Sequence, residues 1–245
     1  MMEFEVKTKE VWEKMATAHP EFKPEHDALK NPWALEALLL GPQINTEIFP
    51  DGNVLDIGSN GGILTAYWAL NGAHVTAYEA DPITFRFLND MLRQTNLNAV
   101  AVWAAIWTFT GLIRFRSNLE TKSLTRGGCI SVQERPTGWY EGGENQEYEV
   151  PCVSFEVALN QKEWDCVKMD IEGAEFEILR TTPIEVLRNQ IKYMQLEFHH
   201  EWVSDAAYQE LIAKLDPVFR IDGHTTHEGR KHWPGRYLWA HLRRK

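Results

Sequence analysis

Val54-Leu55-Asp56-Ile57-Gly58-Ser59-Asn60-Gly61-Gly62, followed by Ile63-Leu64-Thr65-Ala66-Tyr67-Trp68-Ala69-Leu70, decides how this chain is read. An apolar run holding one acidic residue leads into three glycines within five positions, and then into a helix-forming stretch. The pattern predicts a strand, a tight turn and a helix start. Glycine there supplies positive φ, or lets a ligand approach the main chain with no Cβ in the way. Glu79 lies 23 residues beyond Asp56, at the end of the next apolar run, His74-Val75-Thr76-Ala77-Tyr78. An acidic side chain at that place can accept both hydroxyls of a ribose, as in other nucleotide-binding α/β folds. Turn and carboxylate together point to an adenosine-containing ligand.

Spacing separates the candidates for that ligand. A dinucleotide site wants G-x-G-x-x-G, which Gly58-Ser59-Asn60-Gly61-Gly62 does not match. A P-loop ends in Gly-Lys-Ser/Thr, and no such tripeptide occurs. Asp56, Gly58 and Gly62 do resemble the first motif of S-adenosylmethionine-dependent methyltransferases, acidic-x-Gly-x-x-x-Gly. That cofactor carries a carboxylate, an ammonium and a sulfonium but no phosphate, so its loop needs no lysine. Backbone N–H groups at the helix start can take the carboxylate. Asp56 can organise the loop or reach the cationic side through water.

Two later segments extend the pattern. Trp164-Asp165-Cys166-Val167-Lys168-Met169-Asp170-Ile171-Glu172-Gly173-Ala174-Glu175 reads as a buried strand ending in carboxylates, then a helix. Ile191-Lys192-Tyr193-Met194-Gln195-Leu196-Glu197-Phe198-His199-His200 reads as a further strand with polar residues at its exit. With these the chain resembles the FkbM family of methyltransferases. The resemblance rests on Asp56-Ile57-Gly58-Ser59-Asn60, Tyr78-Glu79-Ala80-Asp81-Pro82, Ala104-Ala105-Ile106, Lys168-Met169-Asp170-Ile171-Glu172-Gly173-Ala174-Glu175 and Leu196-Glu197-Phe198-His199. It spans roughly positions 52 to 200 and thins between about 117 and 147. Gly61 departs from it, standing where the family more often has an apolar residue.

The resemblance implies a class I, Rossmann-like α/β fold with a mostly parallel seven-stranded sheet, helices on both faces and an antiparallel edge strand. It implies S-adenosylmethionine as cofactor, held by Asp56, Gly58, Ser59, Asn60, Gly62, Glu79, Ala80, Ala105, Asp170 and Glu172. It further implies methylation of a hydroxyl on a small molecule, sugar, glycolipid or polyketide-like product.

The residues place the elements independently. Strands are expected near 53–57, 74–79 and 99–103, with helices at 62–71 and 82–96, where Pro82 suits a first helical turn. Such alternation argues for a parallel sheet covered by helices, with ligands at the carboxyl ends of its strands. Residues 1–50 are expected to form a helical cap, with helices at 8–19 and 32–40, over a cofactor-binding domain at 51–245. Between Ser117 and Glu149 periodicity fails, and a loop-rich insertion is expected, either a substrate-facing loop with Trp139 and Tyr140 as contacts or plain disorder. Strand character returns at Val150–Val153, a short helix at 154–160, a helix at 204–215, and strands at 217–222 and 236–242 flank a His-rich loop.

Methyl transfer to an alcohol needs in-line placement and removal of a proton. Asp170, Glu197 and His199 are the catalytic candidates. Glu197 and His199 are two apart on one strand and share a face. Three readings stay open: His199 is the general base; the three residues hold a divalent cation; or the carboxylates take the cofactor ammonium while His199 bonds the backbone. The adenine is expected near Ala104, Ala105 and Ile106, with Trp103 and Trp107 in the core. His224, His227 and His232 lack ligand spacing and read as loop residues, though His224 could reach the acceptor pocket, and His200 is expected to face solvent. Methylation of an amine, or a scaffold that binds cofactor without turnover, are the alternatives to an O-methyltransferase.

Composition bounds the partners. With 25 basic and 35 acidic residues the formal net charge is −10, which disfavours nucleic acid. Arg243-Arg244-Lys245 reads as a small solvated basic tail. Cys129, Cys152 and Cys166 show no metal spacing and cannot all pair. The charged start and an apolar run, Val100–Phe109, too short to cross a bilayer lead to the expectation of a soluble, cytoplasmic protein whose partner is a small-molecule or glycan acceptor. Oligomeric state has no signature in the sequence.

Overall fold

The computed structural model describes residues 49–118, 128–130, 145–199, 204–227 and 237–245. The expected helices at 8–19 and 32–40, and Trp139, Tyr140, His200 and His232, lie outside them. Elements follow the chain as β1 (Asn53–Ile57), α1 (Ile63–Leu70), β2 (His74–Glu79), α2 (Pro82–Thr95) and β3 (Ala99–Trp103). Then come β4 (Ala105–Trp107), β5 (Gly111–Asn118), β6 (Gly128–Ile130), β7 (Asn145–Ser154), α3 (Phe155–Leu159) and β8 (Cys166–Met169). The chain ends with α4 (Glu175–Thr181), α5 (Ile184–Gln190), β9 (Tyr193–His199), α6 (Asp205–Leu215), β10 (Phe219–His227) and β11 (Tyr237–Arg244).

Seven of these strands form one sheet in the order β10-β11-β9-β8-β1-β2-β3. From β9 to β3 every pairing is parallel, and β11 runs antiparallel to both β9 and β10. The expected antiparallel partnership at the end of the chain is therefore present. The central parallel strands β1 and β8 are buried on both faces, which is why Val54, Leu55 and Ile57 form an almost unbroken apolar run. Ala66, Ala77, Phe87, Leu88, Met91 and Leu92 pack together on one side. The largest cluster, holding Trp164, Phe155, Leu159 and Leu196, lies between the sheet and α3 to α6.

Helix α2 starts as its sequence requires. Pro82 occupies the first turn, and the Asp81 carboxylate accepts the N–H groups of Ile83 and Thr84, both at 2.9 Å. Asp81→Ala is expected to cost about 1 kcal/mol, the usual loss for an N-cap, readable as a lower urea midpoint with unchanged slope.

The insertion departs from expectation. Instead of a loop from 117 to 149, β5 runs through Asn118, β6 lies at Gly128–Ile130, and β7 begins at Asn145, five residues before Val150. With β4 they make a second, four-stranded sheet, β4-β7-β5-β6. Its two faces differ. Ile113, Phe115 and Ser117 are buried, whereas Leu112 and Arg114 are exposed and Arg116 pairs with Glu147 at 2.7 Å. Strand β5 thus alternates with period two, apolar inward and charged outward.

Two further differences lie near the end of the chain. His224 and His227 belong to β10 rather than to a loop. Arg243 and Arg244 belong to β11, where Arg243 lies over the Tyr193 ring and Arg244 pairs with Glu163 at 2.9 Å. The basic tail is a strand because its long side chains lie across neighbouring groups instead of extending into water.

Candidate active site

Strands β1, β2, β3 and β8 run parallel and release the chain at one edge of the sheet, where ligands bind in such folds. A cleft opens there, about 630 Å³ measured out to its mouth. Gly58 and Asn60 enter it from the turn after β1, and Glu79 and Ala80 from the exit of β2. Ala104, Ala105 and Ile106 form the wall where β3 passes into β4. Asp170, Ile171 and Glu172 arrive from the exit of β8, and Phe115 comes from β5 in the second sheet.

The turn after β1 is held by main-chain contacts. Gly58 has φ 72° and Gly62 φ 83°, while the third left-handed residue is Asn60, φ 51°, and not Gly61. The Asn60 side chain supports this by accepting the Gly61 N–H at 2.7 Å, the local bond that lets asparagine tolerate such a conformation. A Cβ on Gly58 would come within 1.9 Å of the Asp170 carbonyl oxygen. Two strand exits therefore touch backbone to backbone, with no room between them.

Glu79 is buried at the mouth of β2. Its Oε2 accepts the Asn60 N–H and its Oε1 the Asp81 N–H, each at 2.8 Å. Burial pushes its carboxyl up from the ordinary 4.5 to about 7, against the lowering effect of those two donors. Each oxygen keeps a second lone pair.

Asp56 and Lys168 sit beneath the cleft, paired across β1 and β8. Asp56 is fully buried; Thr65 Oγ1 donates to its Oδ2 at 2.6 Å, and Lys168 Nζ lies 3.6 Å from its Oδ1. Burial raises the Asp56 carboxyl above its usual range, and the Lys168 ammonium opposes this. Lys168 Nζ also donates to the Gly58 carbonyl at 2.7 Å and lies 3.6 Å from Asp170 Oδ2. Burial alone would lower the Lys168 ammonium, but Asp170, Asp56, Glu197 and Glu79 together outweigh it, so the shift is upward and the charge is kept.

After β8 the chain turns through two left-handed residues, Glu172 at φ 58° and Gly173 at φ 99°. The Glu175 carboxylate holds this turn by accepting the N–H groups of Ile171 at 2.7 Å and Gly173 at 3.3 Å. A glutamate in that conformation costs backbone energy, which the fold tolerates where the side chain is aimed at a function. Here it lines the cleft.

The expected site residues thus divide. Gly58, Asn60, Glu79, Ala80, Ala105, Asp170 and Glu172 line the cleft. Asp56, Ser59 and Gly62 stand behind it: Ser59 Oγ donates to the Tyr78 carbonyl at 3.2 Å, and Gly62 faces Leu88 and Met91. Glu197 is half-buried on β9, one step past the pairing of Met169 with Leu196 and close enough to stabilise the Lys168 charge. His199 ends β9 opposite Tyr237, and its side chain is outside the described residues. Trp107 is buried as expected. Trp103 is 40% exposed instead, stacked on Phe85 with its Nε1 donating to the Ala80 carbonyl, because β3 is an edge strand.

Lys168 and Glu175 carried no role in the sequence reading. The signal for Lys168 was present: a lone lysine inside Cys166-Val167-Lys168-Met169, a run otherwise fit for burial, has to be paired. Period two places it on the same face as Asp170.

The residues present fit S-adenosylmethionine. Carboxylates at 79, 170 and 172 suit a ribose diol and an ammonium; Ala80, Ala104 and Ala105 leave room for a flat ring. Among the described residues that line the cleft there is no lysine or arginine, and the charged ones are Glu79, Asp170 and Glu172. Among the described residues no group of three or more His, Cys, Asp or Glu is arranged to hold a metal ion, and no helix is long and apolar enough to cross a membrane.

Solved structures of similar shape include TehB from Haemophilus influenzae, 12% identical with a TM-score of 0.45 over 85% of this chain and 60% of that one. The Methanococcus jannaschii fibrillarin pre-rRNA processing protein is 14% identical, with a TM-score of 0.48 over 88% of this chain and 75% of that one. The tRNA (uracil-54, C5)-methyltransferase of Pyrococcus abyssi, in complex with S-adenosyl-L-homocysteine, is 15% identical with a TM-score of 0.42, over 80% of this chain and 36% of that one. The chain thus spans 60% of the length of TehB and 36% of that of the tRNA enzyme. At these identities and TM-scores nothing about substrate carries over. No curated protein matches the sequence. The family pattern described as "Methyltransferase FkbM domain" matches residues 56–223, more than two thirds of the chain. It begins on Asp56 and includes every cleft carboxylate described above, so this chain belongs to the FkbM family of S-adenosylmethionine-dependent methyltransferases.

Proposed function

We propose that this chain moves the methyl group of S-adenosylmethionine to a hydroxyl oxygen of a small molecule, sugar or glycolipid. One juxtaposition carries the reading. Asp170 follows β8 into the cleft, and on the neighbouring parallel strand β9 Glu197 comes just after the Met169–Leu196 pairing and His199 is the last residue, at the same end of the sheet. A neutral hydroxyl must lose its proton as it attacks, and this is where a base can stand beside it. The bound cofactor supplies an activated methyl on a cationic sulfur.

In this reading Glu79 accepts the ribose hydroxyls, and Gly58, Ser59, Asn60 and Gly62 shape the turn against which the donor lies. Ala80, Ala104, Ala105 and Ile106 receive the adenine. Asp170 and Glu172 face the cationic half, Asp56 steadies the turn from below, and His199 is the base. Residues 1–50 act as a helical cap over the donor-binding domain, 51–245. The alternative base-free reading, in which Asp170, Glu197 and His199 share a divalent cation, predicts turnover that EDTA abolishes. A second acceptor class has one observation in its favour. The carboxylates at 79, 170 and 172 would also attract an amine, so N-methylation is the competing reading.

Labelled S-adenosylmethionine offered with a panel of hydroxyl and amine acceptors decides between them. Label on hydroxyl compounds alone is expected; label only on amines would overturn the oxygen reading, and no label with any acceptor would leave the scaffold reading standing. With an acceptor in hand, His199→Ala is expected to lose about 10²- to 10⁴-fold in turnover. Calorimetric binding of S-adenosylhomocysteine should stay within about threefold, since the base does not hold the donor. Unchanged turnover would remove His199 from the chemistry.

A further inference from the structure

Lys168 is the one cation described beneath the cleft that reaches several elements at once. Its Nζ donates to the carbonyl of Gly58 at 2.7 Å and lies 3.5 Å from that of Ile57, both in the turn leaving β1. It stands 3.6 Å from Asp56 on β1 and 3.6 Å from Asp170 at the exit of β8. Glu197 on β9 and Glu79 on β2 add to the field that keeps it charged. A fully buried ammonium with this many partners is costly unless each is in place. Its removal would free the turn and the Asp170 carboxylate together.

Strand order gives these contacts a direction. Across the cleft the exits run β8, β1, β2, β3. Glu79 and the Ala104–Ile106 wall stand on the β2 and β3 side, while the Lys168 partners that line the cleft, Gly58 and Asp170, stand on the β1 and β8 side. A donor whose ribose is on Glu79 and whose adenine is on the alanine wall extends its amino-acid half over Gly58 and Asp170. We propose that Lys168 is a positioning residue for that half of the donor: its ammonium clamps the Gly58 carbonyl and the Asp170 carboxylate into one unit under the amino-acid end, while the adenosine end, Glu79 included, lies outside its direct contacts. The inference rests on the cofactor reading given above, and deepens it.

The test separates a clamp from a general role in folding by using two ligands. Lys168→Met alone would leave Asp56 buried without its counter-charge, so the comparison is made in the Asp56→Asn background. There the D56N/K168M protein lacks both charges of the buried pair and the hold on Asp170. By calorimetry, its Kd for S-adenosylhomocysteine is expected to rise about 30-fold relative to D56N, while its Kd for adenosine stays within about threefold. Loss of the two affinities in equal measure would reduce Lys168 to a structural residue and overturn the proposal. An S-adenosylhomocysteine affinity within threefold of D56N, in a folded protein, would overturn it as well. If D56N/K168M does not fold, D56N/K168L makes the same comparison, since it too removes both the charge and every donor to Gly58 and Asp170. Wild-type protein that binds no S-adenosylhomocysteine would overturn the cofactor reading itself, and is told apart from failure of the clamp by that control.

Discussion

Gly58→Ala is expected to destabilise the fold by more than about 4 kcal/mol, an effect of the exceptional size that follows when packing and backbone strain act together. An alanine Cβ would stand 1.9 Å from the Asp170 carbonyl oxygen and 2.9 Å from Ile171 Cγ2. The first contact is with main chain, which has no rotamer to change. The left-handed φ of 72° adds about 1–2 kcal/mol for any residue with a Cβ. Relief requires β1 and β8 to part at their exits, which would break the bond that the Asp170 N–H donates to the Ile57 carbonyl at 3.2 Å and the Lys168 contacts. Chemical denaturation would read the loss of stability, and calorimetry an undetectable affinity for S-adenosylhomocysteine. A variant with a urea midpoint near that of the wild type would show that the two exits are not in the contact described.

Glu79 produces the second large effect, and its sign reverses between two measurements. Removing a charged acceptor from hydrogen bonds to a ribose diol is worth about 1.5–3 kcal/mol, so Glu79→Gln is expected to weaken S-adenosylhomocysteine binding roughly tenfold to a hundredfold at pH 8. Because the free protein holds this carboxyl at about 7, wild-type affinity should fall as pH drops below that value, by at most about tenfold per unit for one proton. Stability of the free protein should move the other way. A carboxyl whose folded value is raised from 4.5 to about 7 contributes stability fully present below 4.5 and lost as pH rises through 7. The glutamine variant should flatten both profiles. Affinity independent of pH between 5.5 and 8 would remove Glu79 from the ribose contact.

Much of this architecture was legible because its signals are local. Helix α2 declares itself through Asp81-Pro82 and its apolar spacing, and β1 through its unbroken apolar run into glycines. The second sheet was harder to see. Strand β5 does alternate, Ile113 and Phe115 inward against Leu112 and Arg114 outward, yet its partner β7 contains Pro151 and lies far along the chain. Proline argues against a strand interior, and pairing across more than thirty residues leaves no periodic trace in either segment alone. The site followed the same division. Glycines and carboxylates at strand ends could be picked out by spacing, whereas the role of Lys168 depends on β1, β2, β8 and β9 being side by side. Three-dimensional neighbours, not sequence neighbours, give it meaning.

The second sheet also bears on how enzymes of this design can diverge. It contributes Ala105, Ile106 and Phe115 to the cleft, and it is tied to the main sheet where β3 passes into β4. The chain stretches between β5 and β6 and between β6 and β7 both leave from its strands, so they can lengthen, shorten or change composition with their anchor points unmoved. In the proposed reading the donor is held at the exits of β1, β2 and β8 and by the wall where β3 passes into β4. Under the proposed function, those stretches could therefore change in sequence while the donor contacts at the strand exits stay as they are.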